Sequence, residues 1–238
     1  MLVTVLVVSL LTACAGAKRE VLPKLTRSAG ASHGVQRCAA VFPQGRWQLV
    51  HAIAFRLADG TSGTAMGILV VEGQDLHCVL TTVEGLTLFE ARSIGEADPE
   101  VLRALPPFDK REFANALLRD VRTLVQPPLG LSTYGVLADG MPVCRYDAGR
   151  TVTDILPQED GCWRLFTYGE HTSLRTDGCQ PGYLRREHRQ TRAVAARSCE
   201  PIGQAILPRF LDLTGFAPSE YTLNLRLLSA ESLPASTP

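Results

Sequence analysis

Trp47-Gln48-Leu49-Val50-His51-Ala52-Ile53-Ala54-Phe55-Arg56-Leu57 sets the fold class. Trp47, Leu49, His51, Ile53, Phe55 and Leu57 recur with period two and fall on one face of an extended segment. Gln48, Val50, Ala52, Ala54 and Arg56 fall on the other. A helix would require a period of 3.6, so the segment is a long strand with one strongly apolar face. Working forward, Asp59-Gly60 supplies a turn into a strand over 64–72. Gly73-Gln74-Asp75 turns into 76–83, and Glu84-Gly85 into 86–91. Four consecutive strands with short connections make an antiparallel meander.

The period then changes. Phe113, Leu117, Val121 and Leu124 stand at helical spacing, with Ala114, Leu118 and Val125 beside them. Asp109-Lys110-Arg111-Glu112 has the form of a capping box, and Pro127-Pro128 stops the pattern. The spacing predicts an amphipathic helix over 109–126, its apolar stripe aimed at the sheet. Short strands resume near 141–147, 151–156, 162–168, 171–176, 182–189, 193–198, 205–213 and 221–228. The chain is therefore mainly β, a curled antiparallel sheet of about eleven strands with one main amphipathic helix. A sheet of that size bends or closes, and its concavity holds either side chains or a ligand. Trp47, Leu49, Ile53, Phe55, Met66, Ile68, Leu88 and Phe89 are the candidate lining of such a cavity.

Working backward, Leu2 to Ala13 is an uncharged apolar run that ends in Leu11-Thr12-Ala13-Cys14. It is too short to span a bilayer, which takes ~20 residues, and has the length of a signal h-region. The ending resembles a bacterial lipobox, which implies cleavage before Cys14 and acylation of that cysteine. Ala15 after it resembles the outer-membrane sorting choice of Gram-negative lipoproteins. The expected organisation is a signal peptide over 1–13, a lipidated tether over 14–34, a β domain over 35–230 and a flexible tail over 231–238. The tether carries Lys18, Arg19, Lys24 and Arg27 against Glu20, which favours an anionic membrane surface or serves as a solvated linker.

The 238 residues balance 24 basic against 24 acidic side chains, which argues against a dedicated nucleic-acid binder. Beyond Cys14, six cysteines remain. In an oxidising compartment these invite disulfides, with 15 possible connectivities. Cys162 and Cys179, the pair nearest in sequence, are expected to join. No cysteine stands at metal-ligand spacing with a histidine, so no metal is expected. Nucleophile elbows, phosphate loops and dinucleotide fingerprints are missing, and the five histidines are scattered. His51, on the apolar face of its strand, reads as a core histidine. Glu96, Asp98 and Glu100 read as a solvated loop. Arg185, Arg186, Arg189, Arg192 and Arg197 read as a basic sheet face that meets lipid headgroups, an acidic partner or solvent. No catalysis and no cofactor are expected.

This layout, with the ending Leu207-Pro208-Arg209-Phe210-Leu211-Asp212-Leu213 followed by Tyr221-Thr222-Leu223-Asn224-Leu225-Arg226-Leu227, resembles the LolA/LolB family of lipoprotein carriers. The resemblance implies a half-barrel whose apolar concave face, covered by helices, takes up acyl chains. The lipobox resembles the membrane-anchored LolB branch. That branch carries a protruding loop with an exposed apolar residue; the tight Glu84-Gly85 turn here is expected to offer no spare leucine. The functional expectation is an envelope protein, anchored through Cys14 in the outer membrane and facing the periplasm, that binds an acyl chain, lipid or lipidated cargo. The alternative is a non-catalytic structural lipoprotein of an envelope complex with a filled core.

Overall fold

The chain runs β1 (Thr26–Arg27), α1 (Ala31–Ala39), β2 (Arg46–Leu57), β3 (Ser62–Glu72), β4 (Asp75–Thr81), β5 (Thr87–Ser93), β6 (Glu100–Ala104) and α2 (Arg111–Val125). It continues through β7 (Leu131–Val136), β8 (Pro142–Asp147), β9 (Thr151–Pro157), β10 (Trp163–Arg175), β11 (Tyr183–Ile202), β12 (Ala205–Gly215) and β13 (Tyr221–Leu233). This is a computed structural model that describes residues 21–27, 31–95, 97–106, 108–175, 183–216 and 220–235. Only the backbone is described at 31–33, 35, 173–175 and 183–186.

The strands of the described residues belong to one antiparallel sheet in the order β1-β7-β8-β9-β10-β11-β12-β13-β2-β3-β4-β5-β6. The expected meander stands as β2 to β5. The count is thirteen among the described residues, not about eleven. The sequence pattern does not reveal β1, β6 or β7, which are short and largely exposed. Two pairs of expected strands are each one long strand. The segments near 162–168 and 171–176 join as β10, bent by a bulge between Thr167 and Tyr168, and those near 182–189 and 193–198 join as β11.

The strand order dictates where the main helix goes. β6 closes one end of the sheet, while β7 lies beside β1 at the other. The connection between β6 and β7 must therefore cross the whole sheet, and α2 is that connection. Thirteen strands about 4.8 Å apart would span roughly 60 Å if flat. A helix of 15 residues reaches only about 22 Å. α2 lies on the hollow side of the curled sheet, with Ala114, Leu118, Leu124 and Val125 buried. The helix starts at Arg111, with Lys110 at the N-cap position and no side-chain cap. The expected capping box is not formed, because Asp109 lies one residue too early to cap.

The segment expected as a tether is fastened to the fold from Val21 onward. Val21 bridges to Arg189, and the Leu22 N–H donates to the His188 carbonyl at 3.1 Å. Arg145 is paired at two 2.7 Å contacts with the buried Asp154 and also donates to the Pro23 carbonyl at 2.9 Å. β1 pairs with β7. The disulfide Cys38–Cys144 pins α1 to β8. At the other end β13 continues to Leu233, past the expected boundary at 230.

Candidate functional site

The concave face is set by register. β2 and β3 pair Trp47 with Val71, Leu49 with Leu69, His51 with Gly67, Ile53 with Ala65 and Phe55 with Gly63, so these share one side of the sheet. Trp47, Leu49, Leu69 and Val71 are buried in one core with Leu76, Cys78, Leu80 and Phe89. Glycines make room for the largest partners. A Cβ on Gly63 would come within 2.8 Å of the Phe55 ring, and one on Gly67 within 2.7 Å of Ile53 Cδ1.

Of the eight expected lining residues, Trp47, Leu49, Ile53 and Phe89 belong to this core or pack on it. Phe55 is half-buried over Gly63. Met66 and Ile68 are corrected by the same register. They pair with Ala52 and Val50, and their neighbours Ala65, Gly67 and Leu69 are the buried ones. The alternation of β3 is therefore one residue out of step with the expectation, although Ile68 also borders the cavity below. Leu88 is half-buried at the margin of the core, one residue before the fully buried Phe89.

The concavity is mostly filled. Leu117, Val121, Leu124 and Val125 of α2 stand over it, and an apolar cavity of about 60 Å³ remains beneath them, bounded on the sheet by His51, Ile53, Leu69, Cys78 and Leu80. A second void of about 20 Å³ lies where His51 and Trp163 meet Leu124 and Leu207. Together they have the volume of two to three water molecules, each of which occupies ~30 Å³ in the liquid.

His51 borders both voids and is buried, with no hydrogen bond to its ring among the described residues. Burial lowers its pKa to about 4, so at neutral pH it is an uncharged imidazole. Cys78, a free thiol on the same wall, is pushed up to about 12 by burial and is chemically quiet.

One polar cluster interrupts the apolar contact, and the sequence pattern does not announce it. Asp120 is buried on the underside of α2. It accepts from Arg192 Nε of β11 and from the Tyr221 hydroxyl at the start of β13. Burial and then the Asp120 carboxylate raise the Tyr221 pKa, so its hydroxyl remains a donor. The helix is thereby latched to two strands through one carboxylate. The only sequence signal is an acid on the inner face of an otherwise apolar helical stripe.

The other candidates scatter. His77 pairs with Glu90 at 3.0 Å between β4 and β5, with both side chains about a third exposed or more. Arg192 holds Asp120, Arg189 pairs with Glu187, and Arg197 pairs with Asp212 at 2.7 Å. The expected basic face is thus divided among separate ion pairs; the Arg185 and Arg186 side chains are outside the description. Asp98 and Glu100 pair with Arg111 and Arg92, while Glu96 lies outside the described residues. Among the described residues no cluster of His, Cys, Asp and Glu could hold a metal ion, and no helix is long and apolar enough to cross a membrane.

Cys162 pairs with Cys199, not with Cys179. The β10–β11 hairpin returns the end of β11 to the start of β10, opposite Cys162. Cys179 follows the far end of β10, which runs about 40 Å from Cys162 at ~3.3 Å per residue. Cys14 and Cys179 lie outside the described residues.

The β4–β5 turn also differs from expectation. Val83 is 70% exposed and Leu86 is 56% exposed. They flank Glu84-Gly85, so this turn does present a spare leucine.

Fold and site together define a class: an open antiparallel half-barrel whose apolar hollow is covered by the helix of a crossing connection. The chain has this fold in common with the LolA superfamily protein NE2245 from Nitrosomonas europaea, at a TM-score of 0.52 and 9% identity, over 88% of this chain and 96% of that one. A domain from Vibrio parahaemolyticus described as outer membrane lipoprotein-sorting aligns at a TM-score of 0.43 and 12% identity, over 87% of this chain and 94% of that one. No protein-family model matches the chain, and no curated protein matches it.

Proposed function

We propose that this protein is a non-catalytic, lipid-anchored component of the bacterial cell envelope that takes an acyl chain or lipidated cargo on its concave face, in exchange for the packing of α2. The observation that carries this reading is the apolar stripe of α2 lying on an apolar hollow, with the LolA-like layout of the sheet around it. The two voids are far too small for an acyl chain, so the chain has to replace the helix face rather than fill a vacancy. The balance permits that. Uncovering Leu117, Leu118, Val121, Leu124 and Val125 costs on the order of 10 kcal/mol, at ~1.5–3 kcal/mol each. A chain of roughly sixteen carbons returns about 13 kcal/mol, at ~0.8 kcal/mol per CH₂. The exchange is close to even, which suits a carrier that must also release.

The anchor rests on Leu11-Thr12-Ala13-Cys14. Mass spectrometry of membrane-extracted protein is expected to find an acylated N-terminal Cys14, with Cys14→Ser released from the membrane fraction. An unmodified mature protein in the soluble fraction would remove this part. For the cargo, a fluorescent fatty acid is expected to bind the full chain, and native mass spectrometry to find co-purifying lipid. Absence of both would leave the second reading, a structural lipoprotein of an envelope complex, which the filled hollow favours directly. In-cell cross-linking would then give a stoichiometric protein partner.

A further inference from the structure

A cavity larger than the two apolar voids remains. An open cleft of about 450 Å³ lies on the other flank of α2, within the ~300–1,000 Å³ range of small-ligand sites. Its floor comes from three neighbouring strands, with Thr151 and Thr153 of β9, Thr167 and Gly169 of β10, and Thr191 of β11. The register sets Thr153 opposite Thr167 and Thr151 opposite Gly169, so the hydroxyls share one face. Its wall is the last two turns of α2, with Arg119, Arg122, Thr123 and Gln126, followed by Pro127-Pro128.

The lining contains three arginines and no carboxylate. Arg192 is neutralised by Asp120 beneath it. Arg122 donates to the Ser93 hydroxyl at 2.5 Å and to the Gly95 carbonyl at 2.7 Å; both acceptors are neutral, so its charge stays. Arg119 is exposed and has no ion-pair partner among the described residues. Two uncompensated charges outweigh the roughly half negative charge that a helix C-terminus presents. Asp75, which accepts from the Gly95 N–H at 2.8 Å, weakens the field at the Arg122 end, so the field is strongest beside Arg119. Thr153 and Thr167 are buried residues whose hydroxyls make no hydrogen bond among the described residues, which leaves them for a ligand.

We propose that this cleft binds an anionic, hydroxyl-bearing group of the glycerol-phosphate class. The phosphate lies against the guanidinium groups of Arg119 and Arg122, which suit its oxygens. The hydroxyls meet Thr153 and Thr167. Such a group arrives either as a free molecule or as the headgroup of a lipid. The cleft and the apolar hollow lie on two flanks of the same helix, so one lipid can reach both. The cleft's chemistry stands whether or not the hollow takes an acyl chain.

The test is isothermal titration of the full chain with glycerol 3-phosphate and, separately, with dihexanoyl phosphatidylglycerol below its micelle concentration. Saturable binding is expected. It weakens at least about tenfold in Arg119→Gln, which removes a charge-assisted contact, and about threefold to tenfold in Thr167→Val, which removes a neutral one. Equal affinities for the two probes support recognition of the free molecule, and tighter binding of the lipid supports a lipid source. No saturable binding of either probe, or affinities unchanged in both variants, overturns the proposal. Arg119 is exposed, so its variant keeps the fold, which a melting curve checks. A fluorescent fatty acid is titrated in parallel. Uptake of it without any glycerol-phosphate binding overturns the cleft alone and leaves the acyl reading standing.

Discussion

Acidification is expected to destabilise this protein through one side chain, His51. Burial holds its pKa near 4 in the folded state against an ordinary 6.5. The unfolded chain therefore binds the proton first as pH falls, and stability declines below 6.5 until the folded pKa is passed. Above 6.5 both states are neutral and no penalty exists. The two pKa values give a loss of about 2 kcal/mol between pH 7 and pH 5, approaching about 3 kcal/mol near pH 4. Asp120 borders the same cavity, but its oxygens are committed to Arg192 and Tyr221. The assay is urea unfolding followed by the fluorescence of Trp47 and Trp163, both buried, at half-unit steps from pH 7.5 to 5. His51→Leu supplies the reference, because it retains every carboxylate and removes the imidazole. The difference between the two proteins should open as pH falls, at no more than about 1.4 kcal/mol per unit. Parallel pH profiles for the two would refute the argument and mean that His51 finds a partner or solvent.

Asp120→Asn leaves Arg192 buried against a weaker partner and is expected to cost on the order of 3–5 kcal/mol in urea unfolding; Tyr221→Phe, which removes one hydrogen bond to the same carboxylate, costs about 1.5–3 kcal/mol. The raised Tyr221 pKa is stabilising below pH 10 and is lost above it, so wild type loses stability in alkali that Tyr221→Phe retains. Opening Cys38–Cys144, whose partners lie 106 residues apart, as Cys38→Ala/Cys144→Ala should cost about 2–5 kcal/mol, read as a lower urea midpoint. Gly135→Ala places a methyl group on the Thr26 carbonyl oxygen, so β1 should detach, seen as faster hydrogen exchange at 26–27 while the rest of the sheet is unchanged.

The sequence by itself determined the class of the fold and one face of the hollow. Period-two alternation over 47–57, three short turns and a single 3.6-period stripe leave few alternatives to a curled antiparallel sheet with a helix. Those signals are local, since each is a property of neighbouring side chains. Tertiary structure decided what depends on residues far apart in the chain. Register, not alternation alone, put Met66 and Ile68 out of step with the hollow, because a shift of one residue exchanges the faces of a strand. The hairpin return of β11 chose Cys199 for Cys162. Strand order forced α2 across the hollow and brought Asp120, Arg192 and Tyr221 together, 72 and 101 residues apart from the acid. The helix filled a concavity that the apolar pattern alone could equally have left open. No local pattern encodes that outcome, because it depends on the crossing connection from one edge of the sheet to the other.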